Sequence, residues 1–99
     1  MKLNDEQLKE VTQFAELLFT PAEVATVVGV SVPEFISDME MEEEPSTLAY
    51  NKGRLLAKAS IRKKLFTLAN QGSSQAQSLI IKMEQDSEQQ KLRELYDRA

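Results

Sequence analysis

The stretch that decides the fold is TPAEVATVVGVSVPEFISDM, residues 20–39. Thr20 followed by Glu23 has the spacing of a capping box, in which each residue satisfies a backbone N–H of the other at a helix start. Gly29 predicts the end of that helix, because glycine adopts the left-handed conformation of a helix stop at little cost. Ser31 then provides a second start signal. The stretch therefore predicts two short helices joined by a glycine turn.

The apolar residues on both sides of this turn have the spacing of helices that pack against each other. Gly29 permits the sharp turn, and the small Ala25 lets the second helix approach closely. The pattern indicates a helix-turn-helix, which DNA-binding proteins use to place the second helix in the major groove. A plain three-helix packing unit would carry the same caps. The predicted core of the motif is Val24, Ala25, Val28, Gly29, Val30, Phe35 and Ile36.

Helical periodicity continues outward from this motif in both directions. An amphipathic helix is predicted at about 4–19, and longer helices at 46–71 and 74–98. Gly72 leaves so short a connection between the last two that they should form an antiparallel hairpin. The prediction is an all-α fold that is one compact domain overall. Its two parts are an N-terminal three-helix helix-turn-helix unit, 1–44, and a long basic helical hairpin, 45–99, which we expect to be the oligomerisation region.

Composition excludes several classes of function. The 99 residues suit one domain, and they include no cysteine and no histidine. Disulfides, thiol catalysis and the side chain most used for proton transfer are therefore absent. No phosphate-cradling glycine motif is present. We expect a binding protein that is not an enzyme and has no cofactor or metal. No apolar run approaches the roughly 20 residues of a membrane span, so a cytoplasmic protein without a membrane partner is expected.

The acidic run DMEMEEE at residues 38–44 follows the second helix of the motif. It lacks the alternating ligands and central glycine of a calcium loop, so a solvated acidic loop is the favoured interpretation. Repulsion should fray the helix by Met41, and Pro45 should close the segment. No arginine, lysine, asparagine or glutamine lies at the positions of the second helix that should be exposed. Reading of DNA bases by this helix should therefore be weak or absent. Those positions are Val32, Glu34, Ser37, Asp38 and Glu40.

Charge is strongly segregated along the chain. Residues 1–44 carry a net charge of −9, residues 45–82 carry +7 without one acid, and residues 83–99 carry −2. The acid-free stretch marks a place for a polyanion or an acidic protein surface. It could equally pair with the acidic half of the same fold or of a neighbouring subunit. The candidate contacts to DNA phosphates are Lys52, Arg54, Lys58, Arg62, Lys63 and Lys64.

Apolar residues of the last two helices should pack within the hairpin or between subunits. The residues predicted for this packing are Leu55, Ala59, Phe66, Ala76, Leu79, Ile80 and Met83. Residues 84–91 contain no apolar side chain. The apolar pattern resumes at Leu92, Leu95 and Tyr96. These residues lie on a different side of the helix, in line with Ile81. This tail is either a solvated helix or a contact with a second subunit.

Two segments resemble the small subunits of phage terminases. They are AYNKGR at 49–54 and LFTLANQGSSQA at 65–76, within a layout of helix-turn-helix, basic helix and second helix. The resemblance implies that the N-terminal part engages double-stranded viral DNA for packaging and that the hairpin assembles a homo-oligomeric ring. It also implies a terminase large subunit as partner, in the cytoplasm of the host. The alternative is a non-enzymatic protein-interaction adaptor, virion or regulatory, with charge-complementary self-association.

Overall fold

The computed structural model describes residues 1–97, and this part of the chain contains α-helices and no strand. The all-α prediction is confirmed. The chain divides into two compact units, an N-terminal unit of Met1–Ala59 and a C-terminal unit from Ser60 onward. None of the helices in residues 1–97 is both long enough and apolar enough to cross a membrane. The helices are α1 Asp5–Glu16, α2 Pro21–Val28, α3 Val32–Asp38, α4 Pro45–Asn70 and α5 Ser74–Tyr96.

Local caps set the helix starts, largely as the sequence predicts. The Thr20 backbone N–H donates to Glu23 Oε1 at 2.9 Å, and the Glu23 backbone N–H donates to Thr20 Oγ1 at 3.3 Å. Gly29 ends α2 with a φ of 87°, in the left-handed region. Ser73 caps α5 and accepts the Ala76 N–H. One detail differs from prediction, since α3 ends at Asp38, before Met41, and turns follow it.

The end of α1 has the hydrogen bonds of a Schellman motif, with leucine where glycine is usual. Leu18 has a φ of 69°, and its N–H donates to the Ala15 carbonyl at 2.9 Å. The Phe19 N–H donates to the Phe14 carbonyl at 3.3 Å, and the two phenyl rings stack with centroids 5.5 Å apart. This turn directs the chain from α1 into α2.

The core of the N-terminal unit forms where α1, α2 and α3 meet. Its fully buried members are Val11, Val24, Ala25 and Phe35. The first half of α4 belongs to the same unit and approaches α1 closely at the buried Gly53. The boundary between the two compact units therefore falls within α4, after Ala59.

In the C-terminal unit, a turn at residues 71–73 separates the end of α4 from α5. Gly72 takes a φ of 98° there. The Gln77 side-chain amide donates to the Ala69 carbonyl at 3.1 Å. Ala76 is the one buried residue of α5, so the C-terminal unit has little core of its own.

Candidate nucleic-acid interface

Three of the predicted phosphate contacts lie on the first half of α4, in the N-terminal unit. Lys52, Arg54 and Lys58 are all exposed. The helix begins at Pro45, whose missing N–H costs nothing in a first turn, and it has no carboxylate along its length. None of the three bases forms an ion pair with any residue in 1–97. Their charges are thus available to a ligand.

The other three predicted contacts lie on the second half of α4, in the C-terminal unit. Lys63 and Lys64 are exposed, and neither forms an ion pair within the described residues. Arg62 is half-buried, as expected for a base whose stem borders the apolar face. It lines a groove of about 270 Å³ together with Phe66, Ile80, Met83, Glu84 and Ser87.

Helical spacing does not place all of these bases on one surface. Arg54 and Lys58 lie one turn apart and share a side of α4, whereas Lys52 lies on nearly the opposite side. In the C-terminal unit, Lys63 and Lys64 are consecutive and point roughly 100° apart. Each unit therefore offers small basic surfaces in several directions, and neither offers one broad basic face.

The outer surface of α3 is less acidic than the sequence predicts. Glu34 and Ser37 are exposed, as expected, and Val32 is half-buried. The prediction that Asp38 is exposed is wrong, since only 7% of its surface is exposed to solvent. Its carboxylate points into the N-terminal unit, where the Ser46 hydroxyl and the Met1 amino group contact it in place of water. This leaves Glu34 as the exposed carboxylate of α3.

Asp38 is the centre of a polar cluster that the sequence did not reveal. The Met1 amino group lies 3.2 Å from Asp38 Oδ2 and 3.5 Å from Glu44 Oε1. Ser46 Oγ donates to Asp38 Oδ2 at 3.1 Å, and Thr47 Oγ1 donates to the Asp38 carbonyl at 2.6 Å. The hydrogen bond with Asp38 is the main cause that raises the pKa of the Met1 amino group above 8.0. The charges of Asp38 and Glu44 add to this, and desolvation opposes it.

This cluster explains how the acidic run ends and α4 begins. Ser46 and Thr47 are almost fully buried at the start of α4, and both donate to Asp38. The run is therefore held at both ends, through Asp38 and Glu44, and is not simply a solvated loop. Met1 lies 37 residues from Asp38 in sequence, and no local spacing signals a contact of that range.

Most of the predicted helix-turn-helix core is buried in the N-terminal unit. Val24, Ala25 and Phe35 are fully buried, and Val28 and Val30 pack partly buried against them. Ile36 is the exception, because it is 46% exposed. It follows Phe35 by one residue, so it points roughly 100° away from the side chain that fills the core. The expectation that Ile36 packs inward is wrong.

The residues predicted to pack in the hairpin or oligomer are mostly uncovered in the isolated chain. Of these, Ala76 is buried, and Ile80 and Met83 are half-buried. Ala59 is exposed, while Leu55, Phe66 and Leu79 are 62%, 52% and 50% exposed. These exposed apolar side chains lie on both α4 and α5.

No group of three or more acidic residues within 1–97 is arranged to hold a metal ion. The sequence matches no protein-family model, no curated protein and no solved structure at a significant level.

Proposed function

We propose that this protein binds double-stranded DNA without catalysing a reaction, as a homo-oligomer similar to a phage terminase small subunit in viral DNA packaging. The observation that carries the proposal is the charge of α4. Its bases lie in a 38-residue stretch without a carboxylate, and none has an ion-pair partner in residues 1–97. Lysine and arginine that neutralise phosphates release condensed counterions, which drives binding to DNA of any sequence.

In this proposal α2, the Gly29 turn and α3 act as a helix-turn-helix, and α4 with α5 acts as an antiparallel hairpin. Glu34 on the exposed side of α3 repels phosphates, so α3 contributes little to affinity. Contacts from α4 to phosphates would hold the duplex without reading its bases. We therefore expect binding with weak sequence preference.

The oligomer follows from two features of α4 and α5. Because the bases point in several directions, one copy presents only some of them to a straight duplex, and several copies are needed for a continuous basic surface. Burial of the exposed apolar side chains of both helices would stabilise the association of those copies. A terminase large subunit is the further partner that this function requires, in the host cytoplasm.

Titration of fluorescently labelled duplex DNA, followed by anisotropy at 50 mM and 200 mM salt, tests the DNA partner. Six phosphate contacts, supplied by neighbouring copies together, predict that affinity falls roughly 10³-fold between these conditions. Replacing Arg54 and Lys58 by glutamine should lower the log–log salt slope by about 2. The matched control replaces Lys2 and Lys9, two exposed bases of the same unit that lie outside α4. Absence of binding at 50 mM salt, or an equal effect of the control, contradicts the proposal.

The exposed apolar side chains of α4 and α5 also favour a second function, that of a protein-interaction adaptor with charge-complementary self-association. The acidic half of one copy would then neutralise the basic stretch of another. Light scattering at low and high salt separates the two functions. An oligomer that dissociates in high salt and has no affinity for DNA favours the adaptor.

A further inference from the structure

An exposed apolar groove with one acidic side chain lies on the N-terminal unit. It has a volume of about 300 Å³, and Glu23 is the only charged residue that lines it within the described part of the chain. α2, which provides most of its lining, contains no base. Val27 in the groove is 50% exposed, so the isolated chain leaves it uncovered. We call this surface the acidic groove, formed by Phe19, Ala22, Glu23, Thr26 and Val27.

A complementary surface lies on the C-terminal unit, along the second half of α4. Ile61 and Leu68 are 50% and 39% exposed, and Lys64 between them is exposed without an ion-pair partner in residues 1–97. With Leu65 they occupy positions i, i+3, i+4 and i+7 of one helix face. This is the spacing with which a helix enters an apolar groove. We call this surface the basic ridge, formed by Ile61, Lys64, Leu65 and Leu68.

We propose that the acidic groove of one copy receives the basic ridge of a second copy of this chain. Charge selects this occupant, because the groove and ridge carry opposite charges at Glu23 and Lys64. The wider sequence has the same asymmetry, with −9 over residues 1–44 and no acid over residues 45–82. Opposite charges fix the register of an apolar contact and disfavour partners of the wrong sign.

The two surfaces differ, and every copy carries both. Two copies can therefore exchange them reciprocally in a dimer, or each copy can receive one neighbour and enter another, which generates a closed ring or an open filament. The inference rests on the self-association in the proposed function and identifies the surfaces that produce it. It also assigns Lys64 to the contact between copies and leaves the other bases of α4 for DNA.

Charge exchange in the full chain tests this contact, with sedimentation equilibrium at 50 mM salt as the measurement. Lys64→Glu places a carboxylate opposite Glu23, and we expect the dissociation constant to rise roughly tenfold. The matched control is Lys63→Glu, which makes the same charge change on an adjacent exposed residue that points away from the ridge. It should leave association within twofold of the wild type. The variant with both Glu23→Lys and Lys64→Glu should regain affinity.

Glu23 also caps α2, so Glu23→Lys could unfold that helix. Glu23→Gln removes the charge and keeps a residue that can cap. It should weaken association while circular dichroism stays unchanged. If Lys64→Glu and Lys63→Glu associate equally well, the contact is refuted while the oligomer stands. A wild-type chain that sediments as an 11.2 kDa monomer at every concentration refutes both this contact and the oligomer of the proposed function. DNA titration reports on the DNA partner separately.

Discussion

Replacing Gly53 by alanine tests the close approach of α1 and α4 in the N-terminal unit. A Cβ atom at this position would lie 2.3 Å from the Thr12 carbonyl oxygen, 2.6 Å from the Ala15 Cβ atom and 3.0 Å from the Glu16 backbone nitrogen. Two of these contacts are with backbone, which cannot rotate away as a flexible side chain can. The helices would have to separate by roughly 1 Å to reach ordinary carbon–oxygen contact distance.

The magnitude follows from two opposing terms. Alanine gains about 1 kcal/mol over glycine in a helix interior. Overpacking costs about 1–3 kcal/mol, and occasionally more. The upper end applies here, since separation also loosens the fully buried Val11 and Ala15 and lengthens the 3.1 Å hydrogen bond from Thr12 Oγ1 to the Ala49 carbonyl. We expect Gly53→Ala to lower the free energy of unfolding by about 2 kcal/mol.

Urea unfolding followed by circular dichroism at 25 °C measures this change. The control is Ala59→Gly, an exposed position of the same helix, where only intrinsic helix propensity should act and cost about 1 kcal/mol. Adding Ala15→Gly to Gly53→Ala should rescue little of the loss, because the contact with the Thr12 carbonyl remains and glycine at position 15 itself costs about 1 kcal/mol in α1. The reasoning is refuted if Gly53→Ala raises the free energy of unfolding, as propensity alone would require.

Three further predictions concern the N-terminal unit. Asp38→Ala should cost about 1–3 kcal/mol by leaving the buried Ser46 hydroxyl without its acceptor. Glu34→Ala, an exposed control on the same helix, should stay within about 0.5 kcal/mol, and equal effects in urea unfolding would contradict the buried role. The raised pKa of the Met1 amino group stabilises the fold below pH 8.0, and this contribution is lost as pH rises through the raised value. Unfolding midpoints from pH 7 to 10 should therefore fall more steeply in the wild type than in Asp38→Asn, and parallel curves would refute the ion pair. Gly29→Ala should cost about 1 kcal/mol from its φ of 87° alone, because no atom lies within 4 Å of the added Cβ. An unchanged urea midpoint would show that the turn relaxes.

Features set by residues a few positions apart were predictable from the sequence. The bounds of α2 follow from the Thr20–Glu23 capping box and Gly29, and the structure places both as expected. The surface position of Lys63 follows from helical spacing, which places it on the side of α4 opposite Ile61 and Leu65. Such features depend on backbone geometry within one or two helical turns, which sequence spacing reports directly.

Features set by distant partners could not be predicted. From the sequence, Gly53 indicates only a weak point in a long helix, and Asp38 is only one member of an acidic run. The close approach of α1 to Gly53 and the hydrogen-bond donor to Asp38 are visible only in the structure. The exposure of Leu55 and Leu79 has the same cause, since periodicity identifies an apolar face but not what covers it. The sequence therefore predicted which charged residues belong to the candidate site, but not how they are arranged on the surface.

The single buried side chain of α5 has a consequence for amide hydrogen exchange. A helix whose residues bury so little surface opens with a small free energy, since packing against neighbours provides most helix stability in proteins. Amides of Ser74–Tyr96 should therefore exchange with deuterium much faster than those of α2 when the protein is dilute. Their protection should rise with protein concentration if other copies cover the helix.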